Sequence, residues 1–275
     1  MTRSAHRTRT LRLAGAGAAA LLALSACSSS GDSPDAAPDE PGASGSSPSA
    51  LSGTVTVFAA ASLQESFTTL GEEFERQHPG TRVSFSFGGS DTLAANITAG
   101  APADVFAAAS TTTMGIVTGK EDTAGTPATF ARNRLEIATL PGNPDKVSSL
   151  KDLTRPGLKV VLCDRTVPCG AAARKALEQG GLELTPVSYE QDVKSALTKV
   201  ELKEADAAVV YRTDVRAAGA KVRGVEFPEA AGAVNDYPIA LLKNAPNARA
   251  AKAFVALVRS AEGRRVLGRA GFLKP

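Results

Sequence analysis

The chain has 275 residues, 43% of them hydrophobic and only 5% aromatic, with a formal charge of +3. The basic excess sits at the start: residues 1–26 hold four arginines and no acid, so the rest carries 27 basic against 28 acidic side chains, a formal −1. With no basic face and no RNA-binding aromatic motif behind it, a nucleic-acid reading has no support.

In chain order, MTRSAHRTRTLR followed by LAGAGAAALLALSA reads as a signal peptide over 1–26: a basic start, then an apolar run too short to span a bilayer comfortably. It ends in Leu24-Ser25-Ala26-Cys27, which resembles a lipobox, so Cys27 is the expected lipidated N-terminus. Residues 27–53, mostly Ser, Gly, Pro, Ala and Asp, cannot bury enough apolar surface to offset chain entropy and read as a disordered tether. Nothing later has 18 consecutive apolar residues, so membrane contact is expected through the lipid only.

From residue 54 onward strand and helix signals alternate, which predicts an α/β fold with mainly parallel sheets. TVTVF (54–58) reads as a strand, and Leu63, Phe67, Leu70 and Phe74 recur at helical spacing up to His78-Pro79-Gly80. Val83, Phe85 and Phe87 alternate with serines as a second strand, which ends at Gly88-Gly89-Ser90 before a short helix. APADVF (101–106) enters a third strand and TTTMGIV a further helix. Leu135 to Thr139 and KVVLC (159–163) read as strands, Ala171 to Gln179 as a helix, and Asp192 to Leu202 as an amphipathic helix. AAVVY (207–211) reads as a buried strand, and YPIALL (237–242) as a last strand before two closing helices.

Cys163 and Cys169 lie in a chain expected to be exported to an oxidising place, so a disulfide across that loop is the default and two buried thiols the alternative. Catalysis lacks its parts. The one histidine after the signal, His78, stands beside a proline in a turn, and no G-x-S-x-G, P-loop, G-x-G-x-x-G or H-E-x-x-H occurs. No acid pair stands out as a glycosidase would need. What repeats instead is a junction where a strand runs through small or hydroxyl residues into a helix. The first turn of a helix presents unpaired N–H groups and a partial positive charge, so such junctions suit an anion without any cationic side chain. Ordinary helix capping by Ser62, Ser90 and Asp91 is the bland alternative.

FAAASL, GGSDTLAANITAGAPADVF, VPCG, EQDVKSAL and AAVVYRTDV, in this order and spacing, resemble the molybdate-binding proteins of bacterial ABC importers, over nearly all of 54–275. The resemblance implies a type II periplasmic-binding fold of two α/β lobes, 54–132 plus 233–275 and 133–232, with crossings near 130–136 and 228–236. It implies that molybdate, and tungstate with it, is held by Ser62 and Ser90 through hydroxyl and amide, by the amides of Cys169 and Val193, and by the Tyr211 hydroxyl. Cys169 stands where the family usually has alanine, leaving its side chain free to pair with Cys163, and GGS replaces a serine-richer run. The implied protein is not an enzyme. It needs no cofactor and no metal beyond the oxyanion, and works as a monomer on the outer face of the membrane with a permease and its ATPase. Asp104, whose carboxylate would repel a dianion, is expected to brace the backbone. A binding protein for another anion such as sulfate is the nearest alternative, and a secreted serine hydrolase using Ser62 a more distant one.

Overall fold

The computed structural model describes residues 50–275. The expected signal peptide and Cys27 lie outside the described residues, as does nearly all of the tether. Among the described residues no helix is long and apolar enough to cross a membrane.

The chain enters at β1 (Gly53–Ala60), tightens into a 3₁₀ turn at Ala61–Leu63, and continues as α1 (Gln64–Gln77). The alternation in β1 buries Val55 and Val57, and the helical spacing of α1 places Phe67, Leu70 and Phe74 on the same core. β2 (Thr81–Gly88), α2 (Ser90–Thr98), β3 (Val105–Ala107), α3 (Thr111–Thr118) and β4 (Ala128–Asn133) follow. The chain then crosses to a second sheet through β5 (Leu135–Thr139), β6 (Val160–Cys163), α4 (Pro168–Gln179), β7 (Ser188–Glu190), α5 (Val193–Glu201), β8 (Ala207–Tyr211), α6 (Arg212–Ala218) and β9 (Arg223–Val225). It returns in β10 (Asn235–Leu241) and closes with α7 (Ala248–Arg259) and α8 (Ala261–Ala270).

The two sheets have five strands each, ordered β2-β1-β3-β10-β4 and β7-β6-β8-β5-β9. Each has its own hydrophobic core, with a further cluster of α2 and α3 residues on the other face of the first sheet. Only half of each sheet is parallel, contrary to the mainly parallel expectation: β10 runs antiparallel to β3 and β4, and β5 antiparallel to β8 and β9. The reason is connectivity. A parallel neighbour needs a helical crossover within the same sheet, whereas β5 and β10 each arrive from the other sheet. Pro238 stands inside β10, where it can donate no ladder bond, and the β10–β4 register shifts between Tyr237 and Pro238.

The Asp104 carboxylate is buried in this frame and braces it, accepting from the amides of Thr56 at 2.7 Å and Asn247 at 2.6 Å.

Candidate functional site

The parallel strands carry their carboxyl ends to one place, and five helices start there. Ser62 lies in the 3₁₀ turn leading into α1, Ser90 is the first residue of α2, and Cys169 the second of α4. Val193 opens α5, and Tyr211 ends β8 at the cap of α6. α4 starts at Pro168, three residues ahead of the expected Ala171, because proline lacks the N–H that the first turn cannot use and its fixed φ suits that position. The earlier start brings Cys169 into the first turn. Its sulfur is bonded to that of Cys163 at the end of β6, tying strand and helix together.

All five residues line one cavity of about 20 Å³, far below the roughly 300–1,000 Å³ of pockets that take drug-sized ligands. Ala60, Ala61, Gly88 and Gly89 keep side-chain bulk out of it, and neither lysine nor arginine lines it. The one acid in the wall, Asp192, is turned to its own helix: Oδ1 accepts from the amides of Lys194 and Ser195, and Oδ2 from the Ser195 hydroxyl. That cap uses the second and third amides of α5 and leaves the first, on Val193, for the cavity.

Each hydroxyl in the wall is buried and has a donor aimed at its oxygen or within reach of it. The amide of Ala109 donates to Ser90 Oγ at 3.0 Å. Asn235 Nδ2 donates to Tyr211 Oη at 3.0 Å and to the carbonyl of Ala109 at 2.8 Å. Ser62 Oγ lies 2.8 Å from Tyr237 Oη, which accepts from Asn133 Nδ2 at 3.3 Å. Burial first, then the neighbouring Tyr237 and Asp214, holds the Tyr211 phenol well above its ordinary pKa, and burial does the same for Tyr237. Both stay protonated donors at any physiological pH.

Lys194 spans the two sheet regions beside the cavity. Its Nζ lies 2.6 Å from Glu65 Oε1 on α1 and 3.3 Å from Asp214 Oδ1 on α6. Burial works against this ammonium, but Asp214 and Glu65 more than offset it and raise its pKa. Asp214 is fully buried, and burial lifts its carboxyl to about 6 despite Lys194 and the Tyr211 amide. Neither Lys194 nor the Asn133, Asn235 and Tyr237 group has a motif to announce it. The only sequence signal was a tyrosine and two asparagines in strands where apolar residues should dominate.

Chemically, the arrangement is a small shell of N–H and O–H groups gathered at helix starts. It suits a compact anion that only accepts hydrogen bonds.

Two mixed sheets, two chain crossings and a cavity at converging helix starts define a class, the solute-binding proteins of two-lobed α/β architecture. The chain belongs to the bacterial extracellular solute-binding protein family, whose model matches residues 55–273. Among individual relatives, the molybdate-binding protein ModA of Mycobacterium tuberculosis is 49% identical over 222 residues, 81% of this chain and 85% of the relative. ModA of Escherichia coli is 34% identical over 232 residues, covering 80% and 89%. The periplasmic molybdate-binding protein of Azotobacter vinelandii superposes with a TM-score of 0.71 at 21% identity, covering 80% of this chain and 99% of that one, and establishes the type II fold.

Proposed function

We propose that the protein captures molybdate, and tungstate with it, outside the cytoplasm and hands the ion to an ABC permease driven by its ATPase. The observation that carries this reading is the wall of the cavity: Ser62, Ser90, Cys169, Val193 and Tyr211 bring five helix starts and three hydroxyls together with no basic side chain. Molybdate is fully deprotonated at neutral pH and can only accept, so neutral donors match it. The relatives named for molybdate binding support the same ion.

In this reading the lobes are 54–132 plus 233–275 and 133–232, closing on the ion by bending where β4 meets β5 and where the chain returns to β10. Cys27 anchors the monomer to the membrane through its lipid, and the residues after it tether the body, ending short of the expected 53 because Leu51 packs on the core and Gly53 already pairs in β1. A hydrolase using Ser62 finds no support in its surroundings, since its partner is the Tyr237 hydroxyl, a group that burial keeps from acting as a base.

Calorimetric titration with molybdate, tungstate, sulfate and phosphate tests the reading. Molybdate and tungstate should bind tightly with one site per chain, and Ser62→Ala or Tyr211→Phe should each weaken them about tenfold or more, as loss of a buried charge-assisted hydrogen bond does. Tight sulfate binding without molybdate heat would sink it.

A further inference from the structure

The cavity's hydroxyls could in principle donate or accept, because a hydroxyl carries one proton and two lone pairs. What decides between the two is the layer behind them. We propose that Asn235 and the Asn133–Tyr237 pair set the polarity of the cavity hydroxyls, and so make the site prefer anions with no proton left over anions that still carry one. The proposal rests on reading the cavity as an anion site.

The orientation of Asn235 is fixed by its neighbours. Its side-chain nitrogen faces the carbonyls of Ala109 at 2.8 Å and Pro168 at 3.4 Å, and carbonyls only accept, so the atom 3.0 Å from Tyr211 Oη is the NH₂ group. Tyr211 Oη therefore accepts from Asn235, and its own proton is left for the cavity or the neighbouring Tyr237 hydroxyl. Asn133 is fixed in the same way: its Oδ1 accepts from the Arg134 amide at 3.0 Å, which turns Nδ2 to Thr213 Oγ1 at 2.9 Å and Tyr237 Oη at 3.3 Å. With its oxygen accepting from Asn133, Tyr237 has its proton to give to Ser62 Oγ, and Ser62 then gives its own to the anion. Ser90 Oγ already accepts from the Ala109 amide and reaches the same state without a side chain.

The three hydroxyls are thus turned into donors by groups that never touch the solute. Hydrogen phosphate matches sulfate in shape and charge but must donate one proton. The hydroxyl oxygens that could take it each already accept one bond, so taking a second would turn their own protons away from the anion, and the Asp192 carboxylate already accepts three bonds at its helix cap. Asp91 Oδ1 is buried without a partner next to Gly89, yet Asp91 does not line the cavity. Removing the layer would free an acceptor. In Tyr237→Phe the ring packing stays and Ser62 Oγ loses its donor. In Asn235→Ala the Tyr211 oxygen loses its donor.

The test displaces bound molybdate with sulfate or with phosphate at pH 8, where phosphate is chiefly the monohydrogen dianion. Sulfate should compete better than phosphate in the wild type. Each variant should narrow that phosphate-to-sulfate ratio by about tenfold, as gain of one buried hydrogen bond would, while molybdate itself binds more weakly. Melting curves establish that the variants fold, and Tyr237→Phe carries the test alone should Asn235→Ala not. An unchanged ratio in the folded variants, with all ions weakened alike, would show a merely structural role and overturn the proposal, as would a wild type that takes phosphate as readily as sulfate. A wild type that binds no molybdate fails differently: it removes the anion reading and this proposal together.

Discussion

Val193 has an amide to offer because Asp192 beside it caps the next two, and the same economy runs through the site: carboxylates serve backbones, and the amides left over face the cavity. Asp214 extends it, accepting from the Tyr211 amide at 3.1 Å while lying against Lys194. Its carboxyl titrates near 6 in the folded protein and near the ordinary aspartate value of 3.8 when unfolded, so between those values the folded state holds the extra proton. Its contribution to stability is therefore present below pH 4 and is lost as pH rises through 6. Urea unfolding of wild type and Asp214→Asn at pH 4 and pH 7 should show the difference between them moving in the variant's favour by about 2 kcal/mol at the higher pH. Residue types alone reached "hydroxyls and amides for an anion" at Ser62 and Ser90. Val193 reads as a plain apolar face residue, and a backbone N–H is invisible in a one-letter code, so only family resemblance nominated it. The asparagines and Tyr237 escaped altogether, because their role depends on partners far along the chain: Ser62 and Tyr237 are 175 residues apart.

Among elements, the junctions matter more than the strands and helices they join. Gly89 sits between β2 and α2 with φ −59° and ψ 130°, a conformation any residue accepts. Its constraint is proximity: a Cβ there would lie 2.6 Å from the carbonyl of Gln191 and 3.4 Å from Val167 Cγ1, both belonging to the other sheet's region. Gly89→Ala should therefore fold with nearly unchanged melting temperature but hold the lobes slightly apart. Calorimetry should read a molybdate dissociation constant at least tenfold higher, consistent with a packing conflict of about 1–3 kcal/mol. Long periodic elements such as α1, α5 and α7 were legible because their apolar spacing is strong. β7 and β9, three residues each, carry too few positions for a period to show, and α6 begins at Arg212-Thr213-Asp214, polar residues that look like a loop until Asp214 is seen accepting from Tyr211 N.

At the scale of the whole molecule, the alternation of elements made an α/β fold legible, but the antiparallel strands β5 and β10 were not, since direction follows from which sheet a strand comes from. The chain passes from the first sheet to the second between Asn133 and Leu135 and returns between Val225 and Asn235, and if these segments bend as proposed, solution scattering should show a smaller radius of gyration with ion than without.

The bare wall of the cavity also has an electrical consequence. No arginine or lysine lines it, and the buried tyrosines give up no proton, so no side chain in the wall cancels the charge of a bound dianion. The complex should carry the ion's whole double charge as its own. Set against the formal −1 of the chain after residue 26, that is a large relative change. Capillary electrophoresis at pH 8 should show the molybdate complex migrating toward the anode as a distinct, faster species, with Tyr211→Phe requiring more ion to reach the same mobility.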